Sequence, residues 1–386
     1  MSSTQGRVLA AETAEQVRLH EDTNGAVQPS IASSPNTRRI RRSVGALAIL
    51  LASGCASTPA RDVARAVPSS TPKTSEEKAL PEVLGLSLTV TDLDRSVAFF
   101  QGLDFMLDGR RELSGAPLAA LEGLPSVMIR SARLHLGSEH VELDEFAERG
   151  RPLPDGAKSN DETFQHMAIV VADIDAAYQR LRNHGVETIS PAPQTIPLSN
   201  PSAGGIRALY FHDPDRHALE LIWFPTGKGN PRWQAPRTSA FLGIDHSALA
   251  VADTESEQRF YESFNFHVGG RSLNFGPEQE ALSGVPGARV RITNLSPEKG
   301  PAVEFLSYLS PGPGRTMPQH TAPNDVWHWE VTVAVPDLDA ALSGVESTGG
   351  HRVSTAPVDV TSLSLGYTRA ALVTDLDGHC LRLVQR

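Results

Sequence analysis

An α+β fold built from four βαβββ modules is predicted by three features of this sequence. Four segments share one layout: a short alternating strand, an aspartate, a helix, then further strands. Longer stretches also return. "GRPLPDGAKSND" (150–161) matches "GRTMPQHTAPND" (314–325), "ALEGLP" (120–125) matches "ALSGVP" (281–286), and "DPDRHALEL" (213–221) matches "DLDGHCLRL" (375–383). Finally, 40% apolar and 21% charged residues suit packed cores in a water-facing chain.

The first 54 residues read as an export signal with a long extension. Residues 38–55, "RRIRRSVGALAILLASGC", set four arginines before the apolar run Val44 to Ala52, which is too short to span a bilayer. The ending "LASGC" resembles a bacterial lipobox, with Ala52 where leucine is preferred. It implies lipidation of Cys55, removal of the signal, and a cell-envelope lipoprotein facing the periplasm and held to the membrane by this anchor alone. Residues 55–82 are rich in Ser, Thr, Pro and charge and read as a disordered tether.

The modules open at "LGLSLTVTDLDRSVAFF" (84–100), "QHMAIVVADIDAAYQRL" (165–181), "DHSALAVADTESEQRFY" (245–261) and "WEVTVAVPDLDAALSGV" (329–345). Asp92, Asp173, Asp253 and Asp337 stand where strand gives way to helix and are expected to cap it. Asp104, Gly185, Asn265 and Gly349 tolerate the left-handed backbone that ends a helix. Later strands include "VETIS", "IRALYFHD" and "ALELIWF" in module 2, and "HVGGRSL", "ARVRITNL" and "AVEFLSY" in module 3. The stretch "GPEQEALSG" (276–284) reads as a loop and helix start near a pocket rim. The duplicated unit holds two modules, giving domains at 83–226 and 240–386 joined by a Gly- and Pro-rich linker at 227–239.

Composition narrows the partners. The net charge is −10, with no basic stripe interleaved with aromatics, so nucleic acid is not expected. Only Cys55 and Cys380 occur, which excludes a disulfide framework; Cys380 reads as a small core residue. His212, His217 and His379 fall in or beside the "DPDRH" and "DLDGH" turns and read as surface or turn residues.

The layout resembles the vicinal oxygen chelate superfamily of glyoxalases, extradiol dioxygenases and bleomycin and fosfomycin resistance proteins. The likeness rests on a strand-opening His with an Asp seven residues on, helix ends such as "FYESFNF" (260–266) and "FFQGLDF" (99–105), and a glutamate in a last strand such as "DPDRHALEL". It implies modules paired into two cup-shaped mixed sheets, with metal ligands from the first and last strands. Carried over residue by residue, the ligand positions are Gly85 and Glu142, His166 and Glu220, His246 and Glu304, and Glu330 and Arg382. His328 lies two residues before Glu330 on the same face but out of register.

If modules 2 and 3 share a cup, it holds His166, Glu220, His246 and Glu304, and the other cup holds no conventional site. If neighbours within each half pair instead, each cup has one His and two Glu. The first arrangement is favoured because it concentrates the intact ligands. Imidazole and carboxylate donors suit a divalent ion such as Zn, Fe, Mn, Ni or Co.

Three functions compete. The resemblance implies a metal-dependent enzyme acting on a small substrate with two vicinal oxygens, as a glyoxalase-like lyase or isomerase or as an extradiol dioxygenase, with Glu220 or Glu304 as general base. A metal-free, drug-binding protein of the bleomycin-resistance type would need only an apolar cup, with Tyr210, Trp223, Phe224, Phe260 and Tyr261 as candidate walls. An envelope lipoprotein with relic cups is the third.

Overall fold

The structure, a computed structural model, describes residues 81–235 and 238–386. The expected signal segment, Cys55 and the tether as far as residue 80 lie outside the described residues.

Module 1 comprises β1 (Glu82–Thr89), α1 (Leu93–Gln101), β2 (Met106–Ser114), α2 (Ala116–Glu122), β3 (Met128–Leu136) and β4 (Glu139–Phe146). Module 2 comprises β5 (Gln165–Val171), α3 (Ile174–Asn183), β6 (Gln194–Thr195), β7 (Arg207–His212) and β8 (Ala218–Trp223). A 3-10 turn, Pro231–Gln234, leads into module 3: β9 (Phe241–Ala250), α4 (Thr254–Glu262), β10 (His267–Phe275), α5 (Pro277–Ser283), β11 (Arg289–Ser296) and β12 (Ala302–Ser310). Module 4 comprises β13 (Trp329–Ala334), α6 (Leu338–Thr348), β14 (His351–Arg352), β15 (Val358–Asp359), β16 (Arg369–Thr374) and β17 (Cys380–Gln385).

Helix boundaries follow local chemistry. Asp92, Asp173, Asp253 and Asp337 each accept a backbone N–H from the first turn of α1, α3, α4 and α6. Just beyond those helices, Asp104, Gly185, Asn265 and Gly349 hold φ of 64°, 68°, 65° and 92°. This is the left-handed exit that short polar residues and glycine adopt at least cost. The second strand departs from expectation in module 2. "VETIS" contributes only an isolated bridge from Thr188 to Phe211, and β6 is two residues long. Pro191, Pro193 and Pro197 follow closely, and proline cannot donate to a ladder.

Two mixed sheets result. One runs β14-β16-β17-β13-β1-β4-β3-β2, with β15 beside β16; the other runs β10-β11-β12-β9-β5-β8-β7-β6. In each module the first strand lies parallel to the last. At the sheet centres β1 meets β13 and β5 meets β9, antiparallel. Module 1 therefore shares a sheet with module 4, and module 2 with module 3. The stretches 83–226 and 240–386 each give one module to each sheet.

Strand alternation sorts the side chains. Met167, Ile169 and Val171 enter a large core with Leu86, Leu88, Phe100, Phe260, Val331 and Leu383. That core joins the backs of both sheets to their helices. His166 and Ala168, on the opposite face of β5, point into the hollow of their sheet. Smaller apolar clusters line the two hollows. Tyr210, Ala248, Leu282 and Tyr308 lie in one, and Leu121, Ile129, Leu372 and Cys380 in the other.

Candidate metal centre

The ladder explains how distant residues meet. Ala168 of β5 pairs with Glu220 of β8 on one side and with His246 of β9 on the other. His166 sits two residues before Ala168 on the same face. Glu304 enters from β12, opposite Ala248. Four residues from four strands thus share one floor.

Their ligating atoms are close. His166 Nε2 lies 3.2 Å from Glu220 Oε2, and His246 Nε2 lies 3.4 Å from the same oxygen. Glu304 Oε2 is 3.4 Å from His246 Nε2. Among the described residues, His166, Glu220 and His246 form the group of potential ligands whose donor atoms all fall within 4.8 Å of one another. Donors on a coordination shell of about 2.1 Å radius stand about 3.0 to 3.4 Å apart, so the spacing fits a divalent ion. Two imidazoles and carboxylates also form the right donor set.

Exposure separates the two glutamates. The His166, His246 and Glu220 side chains are 1%, 4% and 6% exposed, against 19% for Glu304. Glu304 also lines a cavity of about 720 Å³, together with Asn294, Asp245, Ser272 and Phe224. Glu304 is thus at the boundary between the buried donors and the hollow. Asn294 Nδ2 donates to its other oxygen, Oε1, at 3.1 Å.

The electrostatics are strongly coupled. Burial alone would raise the Glu220 carboxyl, but hydrogen bonds and charge from His166 and His246 hold it down to about 2. Burial would lower His246, but the charges of Glu304 and Glu220 and the hydrogen bond with Asp245 push it well above the ordinary histidine range. The floor therefore favours positive charge where these side chains converge.

The hollow between β1 and β13 holds the counterparts. Glu330 stands where the other sheet has His166, Gly85 where it has His246, Glu142 where it has Glu304, and Arg382 where it has Glu220. Arg382, 5% exposed, lies 2.7 Å from Glu330 and 3.0 Å from Glu122. An internal guanidinium thus supplies the positive charge in this hollow. Burial, reinforced by the charge of Glu330, raises Glu122 to about 8. Arg111 pairs with Glu142 at 2.8 Å, and His328 with Glu330 at 3.0 Å.

Other sequence expectations need correction. His217 and His379 are buried, each paired with an aspartate four residues earlier, Asp213 at 2.8 Å and Asp375 at 3.0 Å. The turns carrying them are covered by packing the local sequence does not show. Of the five candidate wall aromatics, Phe224 lines the cavity. Phe260 and Tyr261 are fully buried in the large core, and Trp223 packs against that core. Tyr210 is buried against His166, ring centres 4.8 Å apart. Sequence reading passed over Asp245, whose Oδ2 lies 3.1 Å from His246 Nδ1. Strand alternation places neighbours on opposite faces, so nothing in "DHSALAV" marks it.

Residues 82–221 match the family described as Glyoxalase/Bleomycin resistance protein/Dioxygenase superfamily. A 2-epi-5-epi-valiolone epimerase from Actinomyces sp is 34% identical over 149 residues, covering 37% of this chain and 79% of that protein. Glyoxalase I from Zea mays superposes with a TM-score of 0.54 at 18% identity, over 79% of this chain and 92% of that one. A point mutant of the same Zea mays enzyme gives 0.52 at 18% identity, over 79% and 94%. Those structures share the fold. With paired βαβββ modules, two curled mixed sheets and these sequence matches, the chain belongs to the glyoxalase/bleomycin resistance protein/dioxygenase superfamily, the vicinal oxygen chelate proteins.

Proposed function

We propose that this chain is a divalent-metal-dependent isomerase or lyase that moves a proton beside a carbonyl in a small substrate bearing two vicinal oxygens. The observation that carries this reading is the convergence of His166, Glu220 and His246 donor atoms, with Glu304 beside them at the cavity wall. When bound, a divalent ion supplies Lewis-acid charge to a pair of substrate oxygens.

The rest of the chemistry belongs to the chain. Glu220 Oε2 is shared between two imidazoles and stays fixed as a ligand. Glu304 lines the cavity, its side chain 19% exposed, and is the base that takes a proton from substrate carbon and delivers it onward. Asn294 anchors Oε1 and so aims Oε2. Returning the proton to a neighbouring atom isomerises the substrate; proton delivery to the opposite face by a solvent water epimerises the carbon. The similarity to an epimerase supports this class over an oxygen-activating one.

The test measures metal content and proton exchange on purified full-length protein. His166→Ala and His246→Ala are each expected to lose the metal. Glu304→Gln is expected to keep it and to slow solvent deuterium exchange into α-hydroxyketones by about 10²- to 10⁴-fold. Metal-free parent protein that still binds small ligands would sink the enzyme reading and favour the drug-binding one.

A further inference from the structure

His246 is held by its chain neighbour, Asp245. We propose that Asp245 is a positioning residue, seated on a β-bulge and held by Trp233 of the inter-half linker, that fixes the His246 imidazole so that its Nε2 faces the ligand cluster. This rests on the metal reading of the same floor and extends it to two residues outside the ligand set.

The bulge makes the arrangement possible. In the β5–β9 ladder Ala168 pairs with His246 and Ile169 with Ile244, so Asp245 is skipped. An extra residue of this kind re-aims its side chain. The Asp245 carboxylate can then reach the adjacent imidazole: Oδ2 lies 3.1 Å from His246 Nδ1. Its other oxygen, Oδ1, accepts the Trp233 indole N–H at 2.6 Å. A carboxylate held this way orients a histidine and selects the nitrogen left for a metal.

Trp233 is itself built in. It is 7% exposed and packs with Ala168, Val170, Ile222 and Leu242. The Arg232 guanidinium lies 3.9 Å from its ring centre and pairs with Glu139 of the other sheet at 2.6 Å. Glu139 also accepts the backbone N–H of Ile244 at 3.1 Å, two residues before His246. Gly243 leaves room for the indole, since a methyl there would stand 2.7 Å from the Trp233 ring.

The second sheet supplies an internal control. Its β1–β13 ladder carries the same irregularity between Val83 and Gly85, and the skipped residue is Leu84. The bulge is present in both sheets. Its residue is a carboxylate where a histidine follows and apolar where a glycine follows.

Two readouts test the inference. In chelator-competition titrations with Co(II), Asp245→Ala is expected to weaken binding by about 10- to 100-fold. Trp233→Phe, which keeps a ring but loses the N–H, is expected to weaken it several-fold. Both should retain the parent's cooperative melt. In metal-free protein, the indole N–H signal that Trp233→Phe removes should shift upfield in Asp245→Ala. Parent-like Co(II) affinity in both variants would overturn the proposal. A parent that binds no Co(II) would defeat the metal reading, and the NMR arm then decides: an unmoved Trp233 signal overturns the relay, and a moved one upholds it.

Discussion

His217 and His379 occupy equivalent places in "DPDRH" and "DLDGH", each with its ring on an aspartate four residues back. Burial would lower the His217 pKa, but the charge and hydrogen bond of Asp213, with the Val326 carbonyl 2.6 Å from Nε2, raise it. A raised value in the folded state means the charged pair stabilises fully below the unfolded histidine value of about 6.5. The contribution is then lost as pH rises through the folded value. His217→Gln should cost about 3 kcal/mol at pH 6, with the gap from the parent narrowing toward pH 9. Urea denaturation at both pH values checks this, and a gap independent of pH would refute it. Sequence could not reveal the burial, because Val326 comes from the other half of the chain. The four candidate residues at the floor were legible because His-to-Asp spacing and the last-strand glutamate are local patterns. Asp245 was not, because only the skipped pairing brings it beside His246.

At the scale of elements, helix ends were readable because both are satisfied within a few residues. The cap is an aspartate, and the exit is a residue that accepts positive φ. Strand packing was less readable. Gly85 occupies the place of His246, and a Cβ there would lie 2.7 Å from the His140 carbonyl oxygen. That oxygen belongs to the neighbouring strand, so it yields only if β1 and β4 separate. Gly85→Ala is expected to cost about 1 to 3 kcal/mol, seen as a lower urea midpoint, and Gly85→His does not rebuild a ligand. An unchanged midpoint would show that the strands adapt freely. The lack of a side chain at this position is thus built into the ladder.

Across the whole molecule, the two halves interlock. Arg151 of the first "GR…ND" stretch pairs with Asp325 of the second at 2.6 Å, and Arg315 pairs back with Asp161 at 2.7 Å. The repeated motif therefore ties the halves together across the chain. Each sheet closes only when both halves are present, since β1 needs β13 and β5 needs β9. A fragment of 81–226 is expected to show no cooperative monomeric melt, because unpaired central strands are left as open edges. Mixing it with 240–386 should restore the melt. A cooperative monomer of the first fragment alone would contradict this.

The sequence by itself determined the α+β class, the module layout, the helix caps and exits, and the four residues at the candidate floor. Each of these is written in short-range pattern, where a side chain answers to backbone a few residues away. Which modules share a sheet, the arginine lodged among carboxylates in the second hollow, and the Asp245–Trp233 support beside His246 were decided by tertiary structure. They depend on strands that meet from far apart in the chain, Ala168 with His246 and Gly85 with Thr332, and on free energies of burial and pairing that no local spacing encodes.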